Sequence, residues 1–213
     1  MVRRIYVEKK PALRQEAAGL LNELRTLLGV TALTGLRLLN RYDVEGLDEA
    51  AFRRAVGTVF SEPQVDDTAA ALPAGDCIAF GVEPLPGQFD QRADSAEQCI
   101  QIVARKRPKV ACARVFVLSG ELSDADVDKI KKYLINAVDS REASLEKPKT
   151  LERASKTPPD VARIVGFIKM DDEQIAVLHA KMSLAMSVAD LAFCRDHFAS
   201  VGRDPSITEI MVL

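Results

Sequence analysis

Two segments near the start of the chain alternate between apolar and polar positions. In residues 3–8 the apolar positions are Ile5 and Val7, and residues 36–44 alternate in the same way, with charged residues opposite the leucines and Tyr42. A period of two places successive side chains on opposite faces of a strand. Both segments are therefore predicted to be half-buried strands.

A helical period separates these strands. Leucines recur at helical spacing from Leu13 to Leu28, which predicts an amphipathic helix. Pro11 suits the first turn of this helix because proline lacks an N–H that would have no partner there, and Gly29 supplies a stop signal. The same spacing predicts a second amphipathic helix over about 48–60.

The same order of predicted elements occurs a second time, about 75 residues further along the chain. A strand over 110–118 matches the strand over 36–44, and further strands are predicted near 62–68 and 138–146. The matched apolar positions of the first helix in each half are Leu24, Leu27 and Leu28, then Cys99, Ile102 and Val103. A shared order at a fixed offset indicates an internal repeat.

The fold class predicted is α+β, with a tandem repeat of a small strand–helix–strand–helix unit that forms a pseudo-dimer. The duplicated domain spans 1–146, with halves at about 1–70 and 75–146. Each half predicts a short sheet with helices on one face. Because neither half could cover its sheet well alone, the halves either pack sheet to sheet or join edges into one larger sheet.

The remaining chain differs in composition. Residues 147–160 contain three prolines and almost no large apolar residues, which predicts an extended, solvated linker. Residues 161–213 predict a mainly helical domain, with helix starts at Ser187 and Ser206. The chain stops seven residues after Ser206, on four apolar residues. Short isolated helices are marginal, so we expect this domain to be truncated and the natural protein to continue.

Composition excludes several functional classes. The formal charge of −2 argues against a strongly cationic nucleic-acid binder, and 5% aromatic residues without Trp argue against a base-stacking platform. No apolar run approaches the ~18–20 residues of a membrane span, and no apolar signal segment follows the first basic residues. We therefore expect a cytoplasmic protein with no nucleic-acid or membrane partner.

Few residues suggest catalysis. The two histidines of the sequence, His179 and His197, lie on separate predicted helices. They do not have the spacing of metal ligands, so we interpret them as residues on a helix face. No phosphate-binding loop, dinucleotide fingerprint or nucleophile elbow occurs. No CxxC spacing occurs, so buried free thiols are favoured over disulfides or a metal site. The cysteines are Cys77, Cys99, Cys112 and Cys194.

Two loops carry dense polar chemistry. Residues 86–95 lead into a helix and form either a docking or ligand loop or a solvated helix start. Residues 202–205 form either a plain helix stop or a second docking turn, in which a guanidinium could pair with a carboxylate or phosphate on a following domain. The candidate docking residues are Gln88, Asp90, Gln91, Arg92, Arg203 and Asp204.

Three stretches carry a family resemblance. They are Gly87-Gln88-Phe89-Asp90-Gln91-Arg92-Ala93-Asp94-Ser95, then residues 139–148, and then Gly202-Arg203-Asp204-Pro205-Ser206-Ile207-Thr208-Glu209-Ile210. With these stretches the chain resembles, over essentially its whole length, the N-terminal part of the long single-chain phosphoribosylformylglycinamidine synthases (formylglycinamide ribonucleotide amidotransferases).

The resemblance implies a role in purine biosynthesis. The full enzyme is a glutamine-dependent, ATP-consuming ligase that converts formylglycinamide ribonucleotide to the amidine, with ATP and magnesium held elsewhere in the enzyme. Residues 1–146 would be a tandem version of a small dimeric subunit, and 161–213 a linker domain. None of the family's catalytic residues can be placed on this chain, so the isolated chain is expected to be inactive and without cofactor.

The partners implied are the synthetase and glutaminase domains of the same polypeptide. This part would hold those domains together and shield ammonia transfer, and an uncovered docking face could let the isolated chain self-associate. The alternative is a free-standing assembly or regulatory subunit that binds a separately encoded synthetase. A tandem small-molecule sensor, similar to amino-acid-binding regulatory domains, is a third interpretation that rests on the repeated units alone.

Overall fold

A computed structural model describes residues 1–152 and 158–213. The chain divides into two compact units, Met1–Arg153 and Ala154–Leu213. The first unit contains strands and helices, and the second is helical, so the α+β class expected from the sequence is confirmed. Each unit is described by itself.

The first unit is built on one six-stranded antiparallel sheet with the order β3-β1-β2-β5-β4-β6. Its elements along the chain are β1 (Val2–Lys9), α1 (Gln15–Thr26), β2 (Leu33–Glu45), α2 (Glu49–Ala55), β3 (Asp66–Ala69), β4 (Ile78–Pro84), α3 (Gln91–Ala104), β5 (Lys109–Gly120), α4 (Asp124–Leu134) and β6 (Ser140–Ala143). The two long strands β2 and β5 pair at the centre. The edge-joining arrangement is therefore the one adopted.

The four helices of this unit cover one face of the sheet and form two apolar cores with it. One core joins β1 and the adjoining halves of β2 and β5 to α2 and α3, through residues such as Tyr42, Phe52 and Ile100. The other joins α1 and α4 to β4 and the opposite halves of β2 and β5, through residues such as Leu24 and Phe116. Each core draws residues from before and after position 75.

The opposite face of the sheet is also buried, which the strand alternation did not predict. Tyr6, Leu39, Val115 and Val117 lie there beneath the segments that follow β3 and β6, which contribute Leu72, Cys77 and Leu145. Charged residues at the alternating positions are buried with them: Glu8, Arg41 and Asp43 are 5%, 4% and 1% exposed. These side chains are paired with opposite charges, which makes their burial tolerable.

The second unit contains α5 (Asp172–Met182), α6 (Val188–Val201) and α7 (Ile207–Val212), preceded by a 3₁₀ turn at Phe167–Lys169. Phe167, Ile175, Leu191 and Ile210 are fully buried in its core. All three helices begin with a reciprocal capping box, which satisfies two otherwise orphaned N–H groups at each start. The starts predicted at Ser187 and Ser206 are confirmed.

Some sequence-based boundaries and faces are wrong. The helix expected from Pro11 breaks at Arg14, so Pro11–Leu13 forms a separate 3₁₀ turn. In α3 the matched positions Ile102 and Val103 are 80% and 43% exposed. The buried face consists of Ala93, Ala96 and Ile100. A one-residue shift in a helix turns the apolar face by about 100°, so the numbering offset found in the sequence does not carry over to this helix.

No helix in the described ranges, 1–152 and 158–213, is long and apolar enough to cross a membrane.

Candidate functional site

The docking loop predicted over 86–95 is a loop only as far as Asp90, because α3 begins at Gln91, and this loop is anchored at its base. Leu85 N donates to Asp139 O (2.8 Å) and Gln88 N to Leu85 O (3.0 Å). Gly87 takes a positive φ of +95°, which glycine adopts without strain. Beyond this anchored turn Phe89 is 73% exposed, a large apolar side chain presented to solvent.

Asp90 is committed to the fold. Its carboxylate caps α3 by accepting from Ala93 N (2.9 Å), and its second oxygen accepts from Cys112 N (3.1 Å) in β5. The pairing of β4 with β5 reaches only Val82, so the β5 edge is open at this point. Glu97 accepts from Val110 N (3.0 Å) on the same edge. These two carboxylates satisfy strand N–H groups that a neighbouring strand would otherwise pair.

Among the candidate docking residues, Arg92 is exposed and lines cavities on the surface of the first unit. Its Nη1 donates to the hydroxyl of Tyr42 (3.3 Å), and within residues 1–152 it forms no ion pair. Tyr42 is buried in the sheet, and this burial raises the pKa of its hydroxyl against the opposing effect of the Arg92 hydrogen bond. Gln91 lines the cavity beside them.

The second candidate turn is held by its own unit. Arg203 forms a two-pronged pair with Glu209 (2.6 and 3.1 Å) and lies over the ring of Phe198 at 5.0 Å. Asp204 accepts from Gly166 N (2.7 Å) and Ile168 N (3.2 Å), and these bonds lower the pKa of its carboxyl. Asp204 therefore fixes the 3₁₀ turn, whereas 43% of the Arg203 side chain stays exposed.

The cysteines and histidines form no reactive constellation within the described parts of the chain. All four cysteines are free thiols. Cys112 is buried, and burial raises the pKa of its thiol. The expectation of burial is wrong for Cys99, which is exposed. His179 contacts Met186 O at 2.6 Å. Among residues 1–152 and 158–213, no group of His, Cys, Asp and Glu side chains could hold a metal ion.

A buried ion cluster that the sequence pattern did not predict lies on the sheet face opposite the helices. Arg4 forms two hydrogen bonds with Asp43 (2.6 and 2.8 Å), and Arg41 Nε lies 3.2 Å from the same carboxylate without a hydrogen bond. Both arginines also donate to backbone carbonyls of the segment after β6: Arg41 to Ser144 O (2.6 Å) and Arg4 to Leu145 O (2.5 Å). The sequence signal that could have indicated this cluster is the charged residues that alternate with apolar residues in β1 and β2.

The segment 144–152 is therefore attached to the first unit. Beyond the arginine contacts, Glu45 accepts from Leu151 N (2.7 Å) and from the hydroxyl of Thr150 (3.0 Å). These bonds lower the pKa of the Glu45 carboxyl. Of the linker predicted over 147–160, residues 147–152 form no helix or strand and are held against the first unit. Residues 153–157 lie outside the part of the chain that the structure describes.

Comparison with known proteins adds no identification: no family model matches the chain, and no curated protein matches it either.

Proposed function

We propose that this chain is the N-terminal scaffold and linker part of a phosphoribosylformylglycinamidine synthase, a glutamine-dependent, ATP-consuming ligase of purine biosynthesis. It acts in the cytoplasm, has no catalysis or cofactor of its own, and holds the synthetase and glutaminase domains together so that ammonia passes between them without loss. ATP and magnesium belong to the other domains.

The strand registers support a tandem duplication. Val7 faces Asn40 on β2 and Thr68 on β3, whereas Val82 faces Arg114 on β5 and Glu142 on β6. Val82 follows Val7 by the sequence offset of 75. With these two residues taken as counterparts, both of their strand partners are shifted by the same amount, 114 − 40 = 142 − 68 = 74.

The central pairing supports a pseudo-dimer. Asn40 and Arg114, which the shift of 74 relates to each other, are also direct partners across β2 and β5. A two-fold axis relating the halves would pass through this pair. Both apolar cores combine residues of the two halves, which suits a rigid frame.

The main support for docking comes from the loop over residues 86–90 and the start of α3. Phe89 and Arg92 combine an aromatic side chain with a guanidinium that has no ion pair within 1–152, and such residues dominate the energetics of protein interfaces. In the second unit, the exposed part of Arg203 is the corresponding candidate. Asp90 and Asp204 support these turns through backbone bonds.

Coupling in the full-length polypeptide tests this role. We expect Arg92→Ala and Arg203→Ala to raise the ratio of glutamine hydrolysed to amidine formed while the protein stays folded, because imperfect docking lets ammonia escape. Arg25→Ala, on the exposed face of α1, is the matched control. Unchanged coupling in both test variants would show that these residues do not dock.

The mass of the native polypeptide separates the two functional candidates. An antibody against this chain should detect a band several times larger than 23.3 kDa in the source cells. A native product of 213 residues would instead establish the free-standing assembly subunit.

A further inference from the structure

The helix-covered face of the sheet is apolar along its two central strands, with one exception on each strand. On β2 the residues on this face include Leu36, Leu38, Tyr42 and Val44, and on β5 they include Cys112, Phe116 and Leu118. The exceptions are Asn40 and Arg114, and these two residues are direct partners across the strands. Polar residues that break an otherwise consistent core pattern mark strained or functional positions.

The helices leave this polar pair uncovered. Arg114 is exposed and Asn40 is half-buried, although their strand neighbours are buried. Two cavities of about 540 and 430 Å³ lie here, the first lined by Arg114 and the second by Asn40. Arg92, at the start of α3, lines both cavities. We call this region the polar groove: Glu16, Asn40, Tyr42, Arg92 and Arg114.

The donors of the polar groove are incompletely used. Within 1–152, the only hydrogen bond of the Arg92 side chain is the long one to Tyr42 (3.3 Å), and the Asn40 carboxamide forms none. Arg114 pairs with Glu16 at 2.5 Å, but 48% and 71% of these two side chains are exposed. Exposed pairs contribute little and can exchange for a ligand.

Arg92 and Arg114 both line the larger cavity and supply the donors that an anion would use. The three acids of this cavity are bonded to other groups: Asp90 to two backbone N–H groups, Asp139 to Asn136 (3.0 Å) and Glu83 to Arg141 (2.7 Å). A planar guanidinium matches a carboxylate through two parallel hydrogen bonds. The larger cavity adds apolar wall from Val82, Phe116 and Leu134, and its volume is within the range of small-molecule sites.

We propose that the polar groove binds a small molecule with a single carboxylate and an apolar body. The carboxylate is held by Arg92 and Arg114, Asn40 donates its amide, and the body lies in the larger cavity against Val82 and Leu134. The site is complete within the first unit but shares Arg92 with the proposed docking surface, so binding is measured on this chain and docking by coupling in the full-length polypeptide.

Amide chemical shifts of the ¹⁵N-labelled chain, with all 213 residues present, test the site. The probes are acetate, 3-phenylpropionate, its uncharged analogue 3-phenylpropanol, and inorganic phosphate, each at the same ionic strength. We expect saturable shifts for 3-phenylpropionate at residues 38–42, 91–93 and 112–116, weaker shifts at the same amides for acetate, and none for 3-phenylpropanol or phosphate.

Variants assign the binding to the polar groove. Arg92→Gln should raise the Kd for 3-phenylpropionate at least tenfold. Asn40→Leu should weaken binding while keeping the fold, because it restores the apolar pattern of β2. Arg25→Gln, on the exposed face of α1, should bind normally. Absence of shifts, equal binding by Arg92→Gln, or preferential binding of phosphate would each overturn the proposal.

Discussion

Replacing Asp90 by alanine tests whether this residue belongs to the fold rather than to a docking surface. The substitution removes two hydrogen bonds, one to Ala93 N at the start of α3 and one to Cys112 N on the open edge of β5. The first bond is a helix cap, and the second is the partner of a strand N–H in a residue that is 6% exposed.

The two losses differ in kind and add in the same direction. Loss of a helix N-cap costs about 1 kcal/mol. A buried N–H left without a partner costs about 1–3 kcal/mol, because its hydration is not recovered in the folded state. We therefore expect Asp90→Ala to lower the free energy of unfolding of the first unit by roughly 2–4 kcal/mol.

Hydrogen exchange of the slowest amides in β2 and β5 measures this free energy in the intact chain. Ser123→Ala is the matched control, because Ser123 caps α4 without bonding to a strand, and it should cost only about 1 kcal/mol. If Asp90→Ala costs no more than Ser123→Ala, the bond to Cys112 N contributes nothing and Asp90 would again be available for docking.

Three further outcomes follow from the structure. Asp43→Asn leaves two buried arginines without their shared carboxylate and should destabilise the first unit by about 3–5 kcal/mol, measured by the same exchange; a cost below ~1 kcal/mol would contradict the ion cluster. The Arg203 hydrogen bonds lower the pKa of Glu209 from 4.5 to about 2. A lowered pKa stabilises the fold above the ordinary value and loses this effect as pH falls toward 2. The second unit should therefore lose stability between about pH 5 and pH 2, and Glu209→Gln should flatten that dependence in far-UV circular dichroism. Among the thiols, Cys99 should react with iodoacetamide in the native chain and Cys112 should not, as peptide mass spectrometry can verify; rapid labelling of Cys112 would mean that β5 is not buried as described.

The strands and helices that the sequence predicted correctly were indicated by local patterns, namely strand alternation and helix-start signals. The two alternating segments form β1 and β2, and the helix starts predicted at Ser187 and Ser206 are the starts of α6 and α7. Each of these signals lies within one strand or one helical turn, so the residues that decide the structure are also neighbours in the sequence.

The roles of the candidate site residues depend on contacts with residues that are distant in the sequence. Asp90 was proposed to dock, but its partner Cys112 lies 22 residues away on a strand edge that only the sheet order leaves open. Arg4 is a surface residue by alternation, yet it binds Leu145 O, 141 residues further along the chain. Neither contact could be inferred from local spacing.

The pattern of residues was enough to predict the α+β class and the order of the main strands and helices, and it favoured the free cysteines that the structure has. Three other features emerged only in the folded chain. The sheet is continuous through β2 and β5, charged strand positions are buried beneath the segments after β3 and β6, and Asn40 and Arg114 meet at the centre of the sheet. The physical reason is that alternation and capping depend on neighbours a few residues away. Burial and pairing depend on which surfaces the whole first unit brings into contact.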